Sequence, residues 1–173
     1  MRMRLFIALL FDDNMKSALM KTQEYLRKRR VGGNYTKPEN LHLTLAFIGE
    51  YNDPERVLEV MQTVPLAPFQ LRLECFGCFG DLYWCGIGEE NRLDAYVRRL
   101  RRALADAGIP FDRKRFSPHI TLIRRANLSQ MPALEVPEAE MTAESVSLMR
   151  SDRGSGGIIY TELGFVEAEE PGA

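Results

Sequence analysis

Histidine is nearly missing from this chain. There are two in 173 residues, His42 and His119, so any imidazole chemistry has to use one or both of them. Cysteine is scarce too. Three thiols, Cys75, Cys78 and Cys85, are an odd number and too few for a disulfide framework, which points to a reducing, cytoplasmic compartment. No apolar run approaches ~18 residues, so no helical membrane span is expected. Residues 5–11 follow Arg2 and Arg4 as the apolar part of an export signal would. That run stops at Asp12-Asp13 without a small-residue cleavage site and reads as a first strand. Neither sign of charge prevails. With 23 basic and 24 acidic residues the net charge is -1, and a polyanion can be attracted only by a local basic patch.

What is present suits a globular chain. Hydrophobic residues make up 45% and charged residues 27%, which excludes wholesale disorder. A chain this long buries roughly 70% of its unfolded surface. One domain over residues 1–173 is expected, two lobes sharing a core, with an acidic tail from about Glu167 that frays. Residues 4–11 form a strand, and Asp12 or Asp13 caps a helix whose apolar positions are Met15, Ala18, Leu19, Thr22 and Leu26. Arg27 to Arg30 suit its C-terminus, and Gly32-Gly33 stops it. Residues 41–48 alternate as a strand. Asp53-Pro54 opens a short helix closed by Pro65 and Pro68. Residues 69–76 and 82–87 are two strands around a turn at Gly77, Gly80 and Asp81. Asn91 caps a third helix with the stripe Leu93, Tyr96, Val97, Leu100, Leu104 and Ala107. Residues 119–123 are a strand, Pro132 and Pro137 punctuate a loop, and residues 145–149 and 157–165 are the last strands, joined by a flexible turn over 151–157. Adjacent strands without room for a crossover helix favour an antiparallel α+β fold over a parallel sheet.

The two histidines share one local sequence, Leu41-His42-Leu43-Thr44-Leu45 and Pro118-His119-Ile120-Thr121-Leu122. Strand alternation puts each His and its Thr on one face, with Leu41, Leu43, Leu45 and Phe47 on the opposite face of the first strand. A lone His-X-Thr is an ordinary strand feature, since Thr is a good strand former. Two copies that contain every histidine in the chain point to side-by-side strands and one pocket holding two imidazoles and two hydroxyls. Such a pair suits acid–base work on a phosphate, one ring removing a proton while the other donates one. Two histidines with no carboxylate beside them on the strand face are a thin ligand set for a metal.

These residues resemble the two-histidine phosphoesterase superfamily, and within it the RNA 2′,3′-cyclic phosphodiesterase family, also called 2′-5′ RNA ligase. The likeness rests on residues 4–8, on Pro38 to Gly49 around His42, on Phe116 to Arg124 around His119, and on the strand Leu82-Tyr83-Trp84-Cys85-Gly86-Ile87. The last third matches weakly. The resemblance implies a bilobal α+β fold, two antiparallel sheets with pseudo-two-fold symmetry around a central cleft and helices outside. It implies hydrolysis of an RNA terminal 2′,3′-cyclic phosphate to a 2′-phosphate, with a weak reversible 2′,5′ ligation. His42 would be the proton donor, His119 the proton acceptor, and Thr44 and Thr121 would bond the phosphate oxygens. Arg124 matches a phosphate-holding arginine, although strict alternation puts it on the face opposite His119. No cofactor, metal, membrane or obligate protein partner is implied. The partner is an RNA with a cyclic-phosphate end, tRNA-like fragments included. Small cyclic nucleotides or 2′,5′-oligonucleotides are the alternative substrates, and a non-catalytic RNA-end binder is the alternative class.

The weaker signals are basic and aromatic. Arg113 and Lys114, with Arg115 and Arg125, flank the second motif and are candidates for an RNA phosphate track. Tyr35, Phe47 and Trp84 are candidates to stack a base. Arg98, Arg99, Arg101 and Arg102 fall opposite the apolar stripe of their helix and read as a solvated face. Cys75-Phe76-Gly77-Cys78 has the spacing of a metal or redox pair but no further ligand near it, and reads with Cys85 as ordinary thiols.

Overall fold

A computed structural model describes residues 3–127 and 134–169. In chain order the elements are β1 (Arg4–Leu9), α1 (Asp13–Lys28), β2 (Asn34–Tyr35), a 3-10 turn (Pro38–Asn40), β3 (Leu43–Glu50), α2 (Pro54–Gln62), β4 (Phe69–Phe79), β5 (Leu82–Ile87), α3 (Asn91–Asp106), β6 (Ile120–Arg124), β7 (Glu140–Ala143), β8 (Ser145–Gly154) and β9 (Gly157–Glu167). They form an α+β fold of two sheets, ordered β3-β1-β8-β9 and β2-β6-β5-β4-β7. Every strand pair is antiparallel.

The helices follow from their caps and stripes. Asp12 accepts from the Met15 N–H at 2.9 Å at the start of α1, and Asp53 does the same for Arg56 at the start of α2. Each supplies an acceptor to a first-turn N–H that has no helical partner. At α3 the cap is Glu90 rather than Asn91, whose place is the first helical turn. Helix α1 ends at Lys28, before it reaches the glycines; Arg30 turns left-handed at φ 62° and Val31 N–H closes back on the Leu26 carbonyl at 3.1 Å. Gly33 has a different task. At φ 146° it lets β2 lie against β6, where a Cβ would come within 2.7 Å of Ile123 and 2.9 Å of the Arg124 carbonyl.

The helices exchange lobes. Helix α1 leaves the first sheet and packs on β6 and β7 of the second, whereas α3 leaves the second sheet and packs on β3 of the first. One apolar core therefore runs from Leu5 and Ile7 of β1 through Leu19 and Leu100 to Leu122 and Ile123 of β6.

Further sequence expectations change. The turn expected at Gly77 begins only at Gly80, because β4 continues to Phe79. The turn over 151–157 shrinks to Ser155-Gly156, because β8 and β9 pair out to Gly154 and Gly157. The stretch between β6 and β8 holds a short strand, β7, paired with Phe69 to Arg72 of β4; Pro132 lies outside the described residues. The tail is bonded at its start, Ala168 N–H to Glu144 and Glu169 N–H to Leu66, and residues 170–173 lie outside the described residues.

Candidate active site

Strict alternation does not hold in either motif strand, and the departure builds the site. The β1–β3 ladder pairs Ala8 with Thr44 and Ile7 with Ala46, skipping Leu45. The β5–β6 ladder pairs Trp84 with Thr121 and Tyr83 with Ile123, skipping Leu122. Each bulge falls three residues after its histidine. An extra residue in one strand reverses the pleat beyond it. Leu45 and Ala46 thus both face the core, as do Leu122 and Ile123, and the residues five after each histidine, Phe47 and Arg124, turn to the face of Thr44 and Thr121. Phe47 was expected with the core leucines and Arg124 opposite His119. Both instead line one cavity with His42 and Thr44.

Helix side chains hold both bulges. From α3, Arg101 donates through Nε and Nη2 to the Leu45 carbonyl at 3.2 and 3.0 Å, and through Nη1 to the Lys114 carbonyl at 2.7 Å. From α1, the buried Gln23 amide donates to the Leu122 carbonyl at 3.1 Å and the Thr36 carbonyl at 2.8 Å. Arg101 is therefore not part of a solvated face. It ties the His42 strand to the segment that leads into His119.

The rings are oriented alike. Nδ1 of His42 lies 2.7 Å from the Asn40 carbonyl, and Nδ1 of His119 lies 2.8 Å from the Ser117 carbonyl. A carbonyl only accepts, so each Nδ1 carries the hydrogen and each Nε2 is left for chemistry. Nε2 of His42 meets the Thr44 hydroxyl at 2.9 Å. Burial holds the His42 pKa below its ordinary value. The Asn40 carbonyl opposes that shift, while Arg124 and His119 add to it. Each ring also has aromatic walls. Phe6 and Tyr160 stand 5.0 and 5.1 Å from His42, and Phe79 and Trp84 stand 5.2 and 6.5 Å from His119. Trp84 lies across Gly77, where any Cβ would collide with the indole.

The other sequence candidates divide. Tyr35 lines a neighbouring cavity with Arg124; its hydroxyl donates to the Val31 carbonyl at 2.6 Å and one ring face lies under Arg27. Arg113 lies over Phe111, and neither it nor Lys114 lines the cavities that Arg124 joins. Cys75 and Cys78 are exposed, and burial pushes the Cys85 thiol up to about 12, which makes it unreactive. Among the described residues no three His, Cys, Asp or Glu side chains gather to hold a metal, and no helix is long and apolar enough to cross a membrane. Sequence reasoning missed Arg4, Phe6, Tyr160 and Phe79. Arg4 stands over the Phe47 ring at 4.9 Å. A pattern search anchored on histidine does not reach them, because they come from other strands, β1, β4 and β9.

His42, Thr44 and Arg124 line one cavity that can receive an anion; His119 and Thr121 are not in its lining, and His119 is linked to it through its charge, which lowers the His42 pKa. The sequence profile of the 2′-5′ RNA ligase superfamily matches residues 17–155. A Thermus thermophilus protein named RNA 2′,3′-cyclic phosphodiesterase is 32% identical over 179 aligned positions, spanning 93% of this chain and 88% of the relative. A Thermotoga maritima protein of the same name is 32% identical over 132 residues, 70% of each chain. The crystal structure of Escherichia coli LigT complexed with 3′-AMP superposes with a TM-score of 0.81 at 24% identity, covering 98% of this chain and 99% of that one.

Proposed function

The chain belongs to the 2′-5′ RNA ligase superfamily, and from that premise we propose that it hydrolyses the 2′,3′-cyclic phosphate at the end of an RNA to a 2′-phosphate, with two histidines and no metal. The observation that carries this reading is the matched pair of Nδ1-anchored imidazoles, together with the bulge that turns Arg124 into the cavity of His42 and Thr44.

His119 Nε2 takes a proton from water, and the water oxygen attacks phosphorus in line. The P–O3′ bond breaks, and the Nε2 proton of His42 passes to the departing 3′ oxygen. The products are a 2′-phosphomonoester and a free 3′-hydroxyl. Thr44, Thr121 and Arg124 bond the non-bridging oxygens, where charge builds in the transition state. An acid at His42 has to be protonated, yet burial, Arg124 and His119 all favour its neutral form. The cyclic phosphate resolves this with its own negative charge. Arriving beside the ring, it raises the His42 pKa, so substrate binding brings the proton with it. When an RNA 5′-hydroxyl takes the place of water, the same step breaks the P–O3′ bond and forms a 2′,5′ linkage. Water at bulk concentration keeps it a minor activity.

The test is incubation with an RNA ending in a 2′,3′-cyclic phosphate, with the product phosphate located by phosphorus NMR. A 2′-phosphate supports the reading. A 3′-phosphate product, or none, contradicts it.

A further inference from the structure

The cavity around His42 does not stop at Tyr160. A second cavity of about 540 Å³ adjoins it, sharing Arg124, Ile158 and Tyr160. Its outer wall is the segment between β2 and His42, met by the tip of the β8–β9 hairpin. Two hydrogen bonds join these walls, Lys37 Nζ to the Gly156 carbonyl at 2.8 Å and Asn40 Nδ2 to the Ile158 carbonyl at 3.0 Å. Basic residues outnumber acidic ones along both cavities. Arg4, Arg124 and Arg153 line the first and Lys37 the second. Among the described residues Asp152 is the single acidic one lining either, and Arg150 pairs with it at 3.0 Å.

We propose that this second cavity is a polynucleotide subsite. It holds the nucleotide preceding the one that carries the cyclic phosphate, and Lys37 grips the phosphodiester between them. The inference rests on the function proposed above and adds a substrate preference to it. Direction follows from in-line geometry. The departing 3′ oxygen, with its ribose, lies on the side of His42, and water lies on the side of His119. An RNA chain leaves its terminal ribose through the 5′ oxygen, so the rest of the strand continues on the His42 side, where the second cavity opens. Lys37 suits the task because an ammonium has three donors. One stays on the Gly156 carbonyl while the others meet phosphate oxygens. Asn34, Thr36 and Asn40 bring further polar groups to this segment, so the subsite is built for a ribose-phosphate rather than an apolar ligand.

The experiment compares kcat/KM on a 2′,3′-cyclic mononucleotide and on a dinucleotide ending in the same cyclic phosphate. A charge-assisted hydrogen bond is worth about tenfold or more. Wild type should therefore favour the dinucleotide by about that factor, with KM carrying the difference. Lys37→Met should remove the advantage and leave mononucleotide turnover within about twofold, Lys37→Arg should retain it, and the dinucleotide's salt slope should fall by about 0.7 with the lost contact. A Tm measurement guards against loosening of the hairpin. Wild type active on both substrates with no preference overturns the subsite alone, as does an equal loss on both in a stable Lys37→Met. Wild type inert on every cyclic phosphate overturns the proposed function.

Discussion

Replacing Arg101 with methionine keeps most of the side-chain stem and removes every donor. Three N–H contacts disappear, two to the Leu45 carbonyl and one to the Lys114 carbonyl. Leu45 is fully buried, and water cannot readily replace the guanidinium at its carbonyl. A hydrogen bond to a charged group contributes about 1.5–3 kcal/mol. The two carbonyls share one partly exposed guanidinium, so the loss should be about 2–3 kcal/mol in all. For a chain of this length that lowers Tm by about 4–12 °C. The bulge would lose the partner that fixes Thr44 relative to Phe47, and kcat should fall about tenfold with KM little changed. Arg101 is a positioning residue, so the pH profile should keep its shape. Thermal unfolding and steady-state kinetics on a cyclic-phosphate substrate test this. A Tm within about 1 °C of wild type with unchanged kcat would refute the reasoning. Alanine at Arg98, Arg99 or Arg102, which are exposed, should stay within about 0.5 kcal/mol.

Burial, Arg124 and His119 lower the His42 pKa of the free enzyme. The alkaline limb of kcat/KM should therefore begin below that of kcat, which reports the phosphate-bound enzyme; coincident limbs would count against substrate-driven protonation. The same shift links to stability. The unfolded chain takes up a proton near pH 6.5 that folded His42 resists, so stability is complete above that pH and declines as pH falls toward the lower folded value. Denaturant titrations of His42→Gln should lose this part of the acid slope, and an unchanged slope would assign it elsewhere. EDTA should leave turnover intact, whereas activity lost in EDTA and restored by zinc or manganese would exclude the metal-free mechanism. Salt titrations of RNA binding should flatten for Arg153→Ala and stay as wild type for Arg113→Ala, since only the first lines the cavity.

The repeated His-X-Thr pointed to the family that the superfamily profile matches, because rare side chains in duplicate are improbable by accident. Antiparallel α+β architecture and the helix stripes were legible from period and caps. The bulges were not. Nothing local distinguishes Leu45 or Leu122 from the leucines of an ordinary alternating strand, and the skip exists only in the pairing with β1 or β5. Arg124 and Phe47 were consequently assigned to the wrong face by a rule that fails after one extra residue. Arg101 was misread for a related reason. Its position on the helical wheel is polar, but the carbonyl it serves belongs to a strand 56 residues earlier. Short strands such as β2 and β7 are set by their partners, Ile123 and Arg124 in one case and β4 in the other, so their own sequences carry little period.

The central claim is that two imidazoles share one phosphate, and the measurement that tests it most directly is single-turnover cleavage of a cyclic-phosphate RNA by His42→Ala, His119→Ala and the double variant. Each single variant should lose about 10²–10⁴-fold, the range for removing an acid or base, and the double variant should lose less than the product of the two because the pair works as a unit. Either single variant turning over at near the wild-type rate would contradict the account.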